Sequence, residues 1–109
     1  MAAKSMTPEQ FKERVGYWAE KVGVEPARVQ IQEMKNKWAS CSTSGRLTFS
    51  ADLLDEDMNF AEYVIIHELL HLQIPNHGKL FKSLMRSFAH EYEEYAKNRL
   101  VCGVSNDSN

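Results

Sequence analysis

Near the start of the chain, apolar residues recur every three or four positions. Phe11, Val15, Trp18 and Val22 share one face of a helix. Thr7-Pro8-Glu9-Gln10 reads as its beginning, with Thr7 as N-cap, Pro8 in the first turn and Gln10 as capping-box partner. Gly23 is placed to end it. From Arg28 to Met34 the period shortens to two, with Val29 and Ile31 on one side, which predicts a strand. Asn36-Lys37 reads as a turn. Two short strands follow at 38–42 and 46–50, joined by a Thr43-Ser44-Gly45 hairpin loop in which Gly45 is free to take a positive φ. Residues 51–58 read as a connection with a helical turn around Leu53-Leu54. The helical period returns over 60–74, where Phe60, Val64, Leu72 and the pair Ile65/Ile66 form an apolar surface. Asn59 is its expected N-cap with Glu62 as capping-box partner, and Pro75 its stop. A last helix is expected over 78–100, with Leu80, Phe81, Leu84, Met85, Phe88, Tyr92 and Tyr95 at core spacing. Residues 101–109 read as a disordered tail. The fold expected is α+β: an N-terminal helix, a small three-stranded, mainly antiparallel sheet, a central helix that packs on it, and a closing helix. The pattern shows no repeats and implies one domain over 1–109, with its ordered core at about 7–100.

Composition narrows the class. With 109 residues the chain can build one modest core, and 43% hydrophobic with 26% charged residues suits a water-soluble globule. The net charge of −2 does not point to nucleic acid. No apolar run approaches the roughly 20 residues that span a bilayer, so no membrane partner is expected. The first six residues lead straight into a polar helix rather than a signal peptide. Cys41 and Cys102 form no C-x-x-C pair, and reduced thiols in a cytoplasmic setting fit them, with a disulfide between them left open. The oligomeric state is left open too.

The chemistry lies in the central helix. Residues 67–77 read His-Glu-Leu-Leu-His-Leu-Gln-Ile-Pro-Asn-His. Residues four apart share a helix face, so His67 and His71 can reach one zinc ion. Glu68 then stands beside the metal, where a general base for a zinc-bound water belongs. A catalytic zinc takes three protein ligands and keeps a position for water. His77 can be the third ligand if the chain turns at Pro75-Asn76, because a straight helix would carry it about 9 Å past His71. The expected reaction is hydrolysis of a peptide bond, with Glu68 moving the water's proton to the leaving amine. An edge strand beside the metal would take a peptide or protein substrate by β-addition.

Other assignments stay open at this point. Glu91, in the acidic run Glu91, Glu93, Glu94, is a rival third ligand, although such runs are more often solvated helix faces. Tyr63, His90, Tyr92 and Tyr95 are candidate oxyanion donors, each tyrosine reading better as a core aromatic. Cys41 reads better as a small buried residue than as a thiol switch or ligand. Trp38 fits the core or a substrate cleft. Lys79, Lys82 and Arg86 share a face of the last helix that reads as solvated rather than as a nucleic-acid surface. A zinc-binding interaction module without turnover is the alternative of a different class, and a latent peptidase acting on nucleic-acid-associated proteins is a third.

Four segments together carry a resemblance. They are Met34-Lys35-Asn36-Lys37-Trp38-Ala39-Ser40-Cys41-Ser42, Gly45-Arg46-Leu47, the run from Tyr63 to Leu72, and Asn76-His77-Gly78-Lys79-Leu80-Phe81. Over roughly residues 28–90 the chain resembles the YgjP-like zinc metallopeptidases, which are similar to the SprT-like and WLM peptidases. The resemblance implies a minimal zincin-like domain. It also implies zinc held by His67, His71 and His77, Phe81 packing beside them and Glu68 as the base. The chain departs from the family at Ala39, where a glycine is usual, and in a shorter N-terminal part. Metzincins have a glycine where Ile74 stands, which argues against that group.

Overall fold

The computed structural model describes residues 6–96. The expected end of the closing helix at 100, the tail at 101–109 and Cys102 lie outside the described residues.

Helix α1 (Pro8–Val22) starts and stops where local chemistry dictates. The Gln10 N–H donates to the Thr7 hydroxyl at 3.1 Å, and the Thr7 N–H donates to the Gln10 side-chain oxygen at 3.1 Å. Gly23 ends the helix at φ 88°, a conformation that costs glycine no steric clash. Phe11, Val15 and Trp18 are buried, whereas Val22 is half-buried.

Strands β1 (Arg28–Gln32), β2 (Ala39–Cys41) and β3 (Arg46–Ser50) form one sheet in the order β1-β3-β2. The β2–β3 hairpin is antiparallel, as expected, but β1 pairs with β3 in parallel, from Arg28 opposite Arg46 to Gln32 opposite Ser50. The sheet is therefore mixed. The cause lies in β3. Leu47 and Phe49 are buried on one face, and Thr48 and Ser50 on the other. A strand covered on both faces belongs in the middle of a sheet. Residues 33–38 carry the chain across to the far side of β3, which leaves β1 running in β3's direction. A 3-10 turn (Ala51–Asp55) follows, with Leu53 fully buried.

Helix α2 (Met58–His71) starts one residue before the expected cap. Asp57, not Asn59, is its N-cap, and the Asp57 carboxylate accepts from the Asn59 N–H at 2.8 Å. Glu62 does not close a capping box. It is buried and accepts from Arg14 Nε at 2.7 Å, from Arg14 Nη2 at 2.9 Å and from the Trp18 indole N–H. A buried carboxylate needs such partners, and this one ties α1 to α2. From Phe60 to His71 every residue of α2 except half-buried Tyr63 is buried.

The helix is wrapped by its neighbours. The sheet and α1 meet in the Phe11–Phe49 edge contact at 5.0 Å, and Trp38 packs edge-on against Phe60 at 5.2 Å, so Trp38 serves the core. The closing helix is broken. It comprises α3 (Lys79–Ala89), a 3-10 turn (His90–Tyr92) and α4 (Glu93–Ala96). Phe81, Met85 and Ala89 give α3 a buried stripe at spacing four. The turn beyond Ala89 then sets Tyr92 edge-on against Trp18 at 6.1 Å. Leu80 and Tyr95, expected in the core, are exposed. Lys79, Lys82 and Arg86 are exposed, and Cys41 is half-buried rather than buried. Among the described residues no helix is long and apolar enough to cross a membrane.

Candidate metal centre

Because α2 is packed on all sides, the side chains of its last turn have little freedom. His67 and His71, one turn apart, bring their ring centroids to 4.7 Å. The helix then stops. Leu72, Gln73 and Ile74 donate their N–H groups back to Leu69 and Leu70, closing a tight turn three residues earlier than the expected stop at 74. Pro75 and Asn76 redirect the chain, and His77 arrives just before Gly78, the N-cap of α3. Its ring lies 4.4 Å from that of His71 and 5.5 Å from that of His67. One nitrogen from each of the three imidazoles lies within 4.8 Å of the others. Phe81, one turn into α3, touches all three rings, at 5.2, 4.6 and 4.8 Å from His67, His71 and His77.

Four polar atoms of this cluster make no hydrogen bond, although two of them, His67 Nδ1 and Glu68 Oε2, lie 3.4 Å apart. His67 Nδ1, His71 Nε2, His77 Nε2 and Glu68 Oε2 are buried without a hydrogen bond. Buried polar atoms are nearly always paired, so four orphans in one place call for a ligand. The Nδ1 of His71 lies 3.3 Å from the Ile74 carbonyl, and an Nδ1–H tautomer that donates there leaves Nε2 as a lone pair. Burial pushes His67 and His71 down to about 4, and His77 is lowered as well. All three are then neutral near pH 7, the form that binds metal. Burial pushes Glu68 the other way, up to about 8, opposed by the positive charge of Lys37. A divalent cation beside it would reverse that shift. The donor set thus fits a metal ion.

Among the described residues, Glu91 is not in this group; its side chain is exposed. Of the four candidate oxyanion donors, Tyr63 is the one at the cluster, stacked on His67 at 6.4 Å. Tyr92 faces Trp18, and His90 and Tyr95 are exposed. Two features escape a reading of the pattern, the Arg14–Glu62–Trp18 tie and the influence of Lys37 on Glu68. The first left a trace: a carboxylate within an otherwise apolar helix needs a partner.

The sequence profile of the YgjP-like metallopeptidase domain matches residues 2–100. The chain belongs to the YgjP-like metallopeptidase family. As a YgjP-like metallopeptidase domain it shares its fold with solved structures described as metallopeptidase zymogens. The zymogen of Methanocaldococcus jannaschii jannalysin superposes with a TM-score of 0.70 at 25% identity, covering 88% of this chain and 95% of that one. The zymogen of Pyrococcus abyssi abylysin gives 0.68 at 22% identity, covering 83% and 94%. No curated protein sequence matches significantly.

Proposed function

We propose that this chain is a zinc-dependent endopeptidase of the HExxH type, with His67, His71 and His77 as ligands and Glu68 as general base. The observation that carries the reading is the grouping of three imidazoles at the end of α2, with buried nitrogens that make no hydrogen bond and the Glu68 carboxylate beside them. Three nitrogen donors with an adjacent carboxylate favour catalytic zinc over a structural site, which takes four protein ligands. Bound there, zinc supplies a Lewis acid that polarises a carbonyl and eases deprotonation of water.

Glu68 takes the proton of the attacking water and delivers it to the departing amine. The buried wall around it excludes bulk water, so the proton passes between fixed partners. Tyr63, stacked on His67, keeps its hydroxyl proton because burial raises its pKa, which supports it among the four candidates as the donor to the oxyanion. Strand β2 lies at an edge of the sheet and packs near α2, which supports binding of an extended peptide along it. The zymogen description of jannalysin supports a latent form of the same activity. Comparing proteolysis by the full chain with that by a chain ending at residue 100 tests latency, and equal rates count against it.

Glu68→Gln separates an enzyme from a zinc-binding module. The enzyme reading expects unchanged zinc content and peptide cleavage slowed by about 10²–10⁴. A variant that still cleaves at the original rate overturns it.

A further inference from the structure

A cavity of about 440 Å³ lies beside the imidazole cluster, bounded by Cys41, Ser42 and Thr43 of the hairpin and by His71, Leu72 and Pro75. Its size is within the range of pockets that take small ligands. One wall is His71, so whatever fills the cavity rests against a member of the cluster. The opposite wall is fixed in place. The Ser42 N–H donates to the Arg46 carbonyl at 2.9 Å, and the Gly45 N–H donates to the Ser42 carbonyl at 3.1 Å. The Arg46 N–H also donates to the Ser42 hydroxyl at 3.1 Å, and the Ala27 N–H to the Gly45 carbonyl at 2.8 Å. Cys41 is the last residue of edge strand β2, so an extended chain lying along β2 runs into the cavity.

We propose that this cavity is a subsite that receives a neutral, apolar side chain of the substrate, of the leucine, methionine or phenylalanine class, next to the scissile bond. It rests on the peptidase reading above. No Lys, Arg, Asp or Glu lines the cavity, so a charged side chain seated there finds no ion-pair partner. Leu72 and Pro75 supply apolar contact, and the Cys41 thiol acts as a small hydrophobe. Thr43 is exposed at the rim, where a new charge can be introduced without being buried.

The test uses the full chain loaded with zinc and a mixed peptide pool, with cleavage sites read by mass spectrometry. The wild type is expected to enrich Leu, Met or Phe over Asp, Glu, Lys and Arg at least about tenfold at one position flanking the cut. Thr43→Lys is expected to raise Asp and Glu at that same position by about tenfold. A second measurement does not need turnover. A fluorescent leucine-containing peptide should bind zinc-loaded Glu68→Gln protein about tenfold more tightly than it binds the same protein carrying Thr43→Lys. If the wild type cleaves but Thr43→Lys leaves its preferences unchanged, the subsite is overturned and the peptidase reading stands. If neither the wild type nor the chain ending at residue 100 cleaves or binds any peptide, both are overturned.

Discussion

The ring of Phe81 lies nearly parallel to the imidazole of His71, with centroids 4.6 Å apart and planes at 27°. Phe81 comes from α3 and His71 from α2, so this contact joins the helix that carries two proposed ligands to the one that follows the third. Packing of this kind holds an imidazole in one orientation, as an outer hydrogen bond does at other metal sites.

Phe81→Ala should therefore damage both packing and metal binding. Truncating a buried phenylalanine costs about 3–5 kcal/mol. Zinc affinity should fall by about 10–100-fold, the usual effect of losing a supporting partner. Phe81→Leu should be milder in both respects. Zinc competition titrations and urea unfolding of the two variants measure it; an Ala variant with wild-type affinity would remove Phe81 from any role in orienting the histidines.

The third ligand can be assigned by metal content alone. His77→Ala should lose tightly held zinc while α2 remains folded. Glu91→Ala should keep one zinc per chain, since its carboxylate is exposed and outside the imidazole group. The reverse pattern would hand the third position to Glu91.

The Arg14–Glu62–Trp18 tie makes a prediction about stability. Arg14→Met leaves the buried Glu62 carboxylate with the Trp18 indole as its remaining described partner, and should cost about 2–4 kcal/mol. The pair Arg14→Met and Glu62→Leu together should cost less than the sum of the two single changes, because neither charge is then left alone. A double-mutant cycle in urea checks this; additivity would mean the two side chains do not interact energetically.

Much of the site could be read locally. His67 and His71 declare themselves through helical spacing, and Thr7, Pro8, Gln10 and Gly23 mark the limits of α1, because caps and periodicity are decided within a few residues. Glu62 could not be placed that way. A glutamate three positions after Asn59 satisfies a capping-box pattern, but Arg14, 48 residues earlier, competes for it and wins. The parallel β1–β3 pairing was hidden for the same reason, since register across a sheet depends on what covers β3. The stop at His71 was masked by continuing apolar residues, Leu72 and Ile74, whose side chains pack on the core from a turn rather than from a helix.

Stability of the metal-stripped protein should peak near pH 6.5. His67 and His71 sit at about 4 in the fold against an ordinary 6.5. Between those values the unfolded chain holds more protons, so stability falls as pH drops from 6.5 toward 4, and His77 adds to the trend. Glu68 sits at about 8 against an ordinary 4.5. Between these values the folded chain holds the extra proton, so this contribution is lost as pH rises through 8. Below 6.5 the two histidines outweigh the one carboxyl; above 6.5 the carboxyl acts alone. Each unmatched proton is worth about 1.4 kcal/mol per pH unit. Zinc should abolish the alkaline decline, since the cation stabilises ionised Glu68. Urea midpoints from pH 4 to 9, with chelator and with zinc, give the two curves.

The hairpin wall offers a further check. Gly45 has φ 92°, and a Cβ built there would lie 3.3 Å from the Ala27 Cβ. Gly45→Ala should cost about 1–2 kcal/mol from the left-handed backbone alone. It should also loosen the hairpin beside His71, seen as faster amide exchange over residues 42–46.

Helix α2 has almost no face of its own left to water. Beyond exposed Met58 and half-buried Asn59 and Tyr63, a residue on it cannot be exchanged without disturbing the sheet, α1 or α3, so the helix that carries most of the chemistry has the least room to vary. Room to vary lies elsewhere, in the crossing at 33–37, the hairpin tip at 42–45 and the exposed turn residues Gln73, Pro75 and Asn76, short of His77. Those segments are the natural targets for randomisation in a library meant to redirect the enzyme, and α2 is the part of such a library to leave untouched.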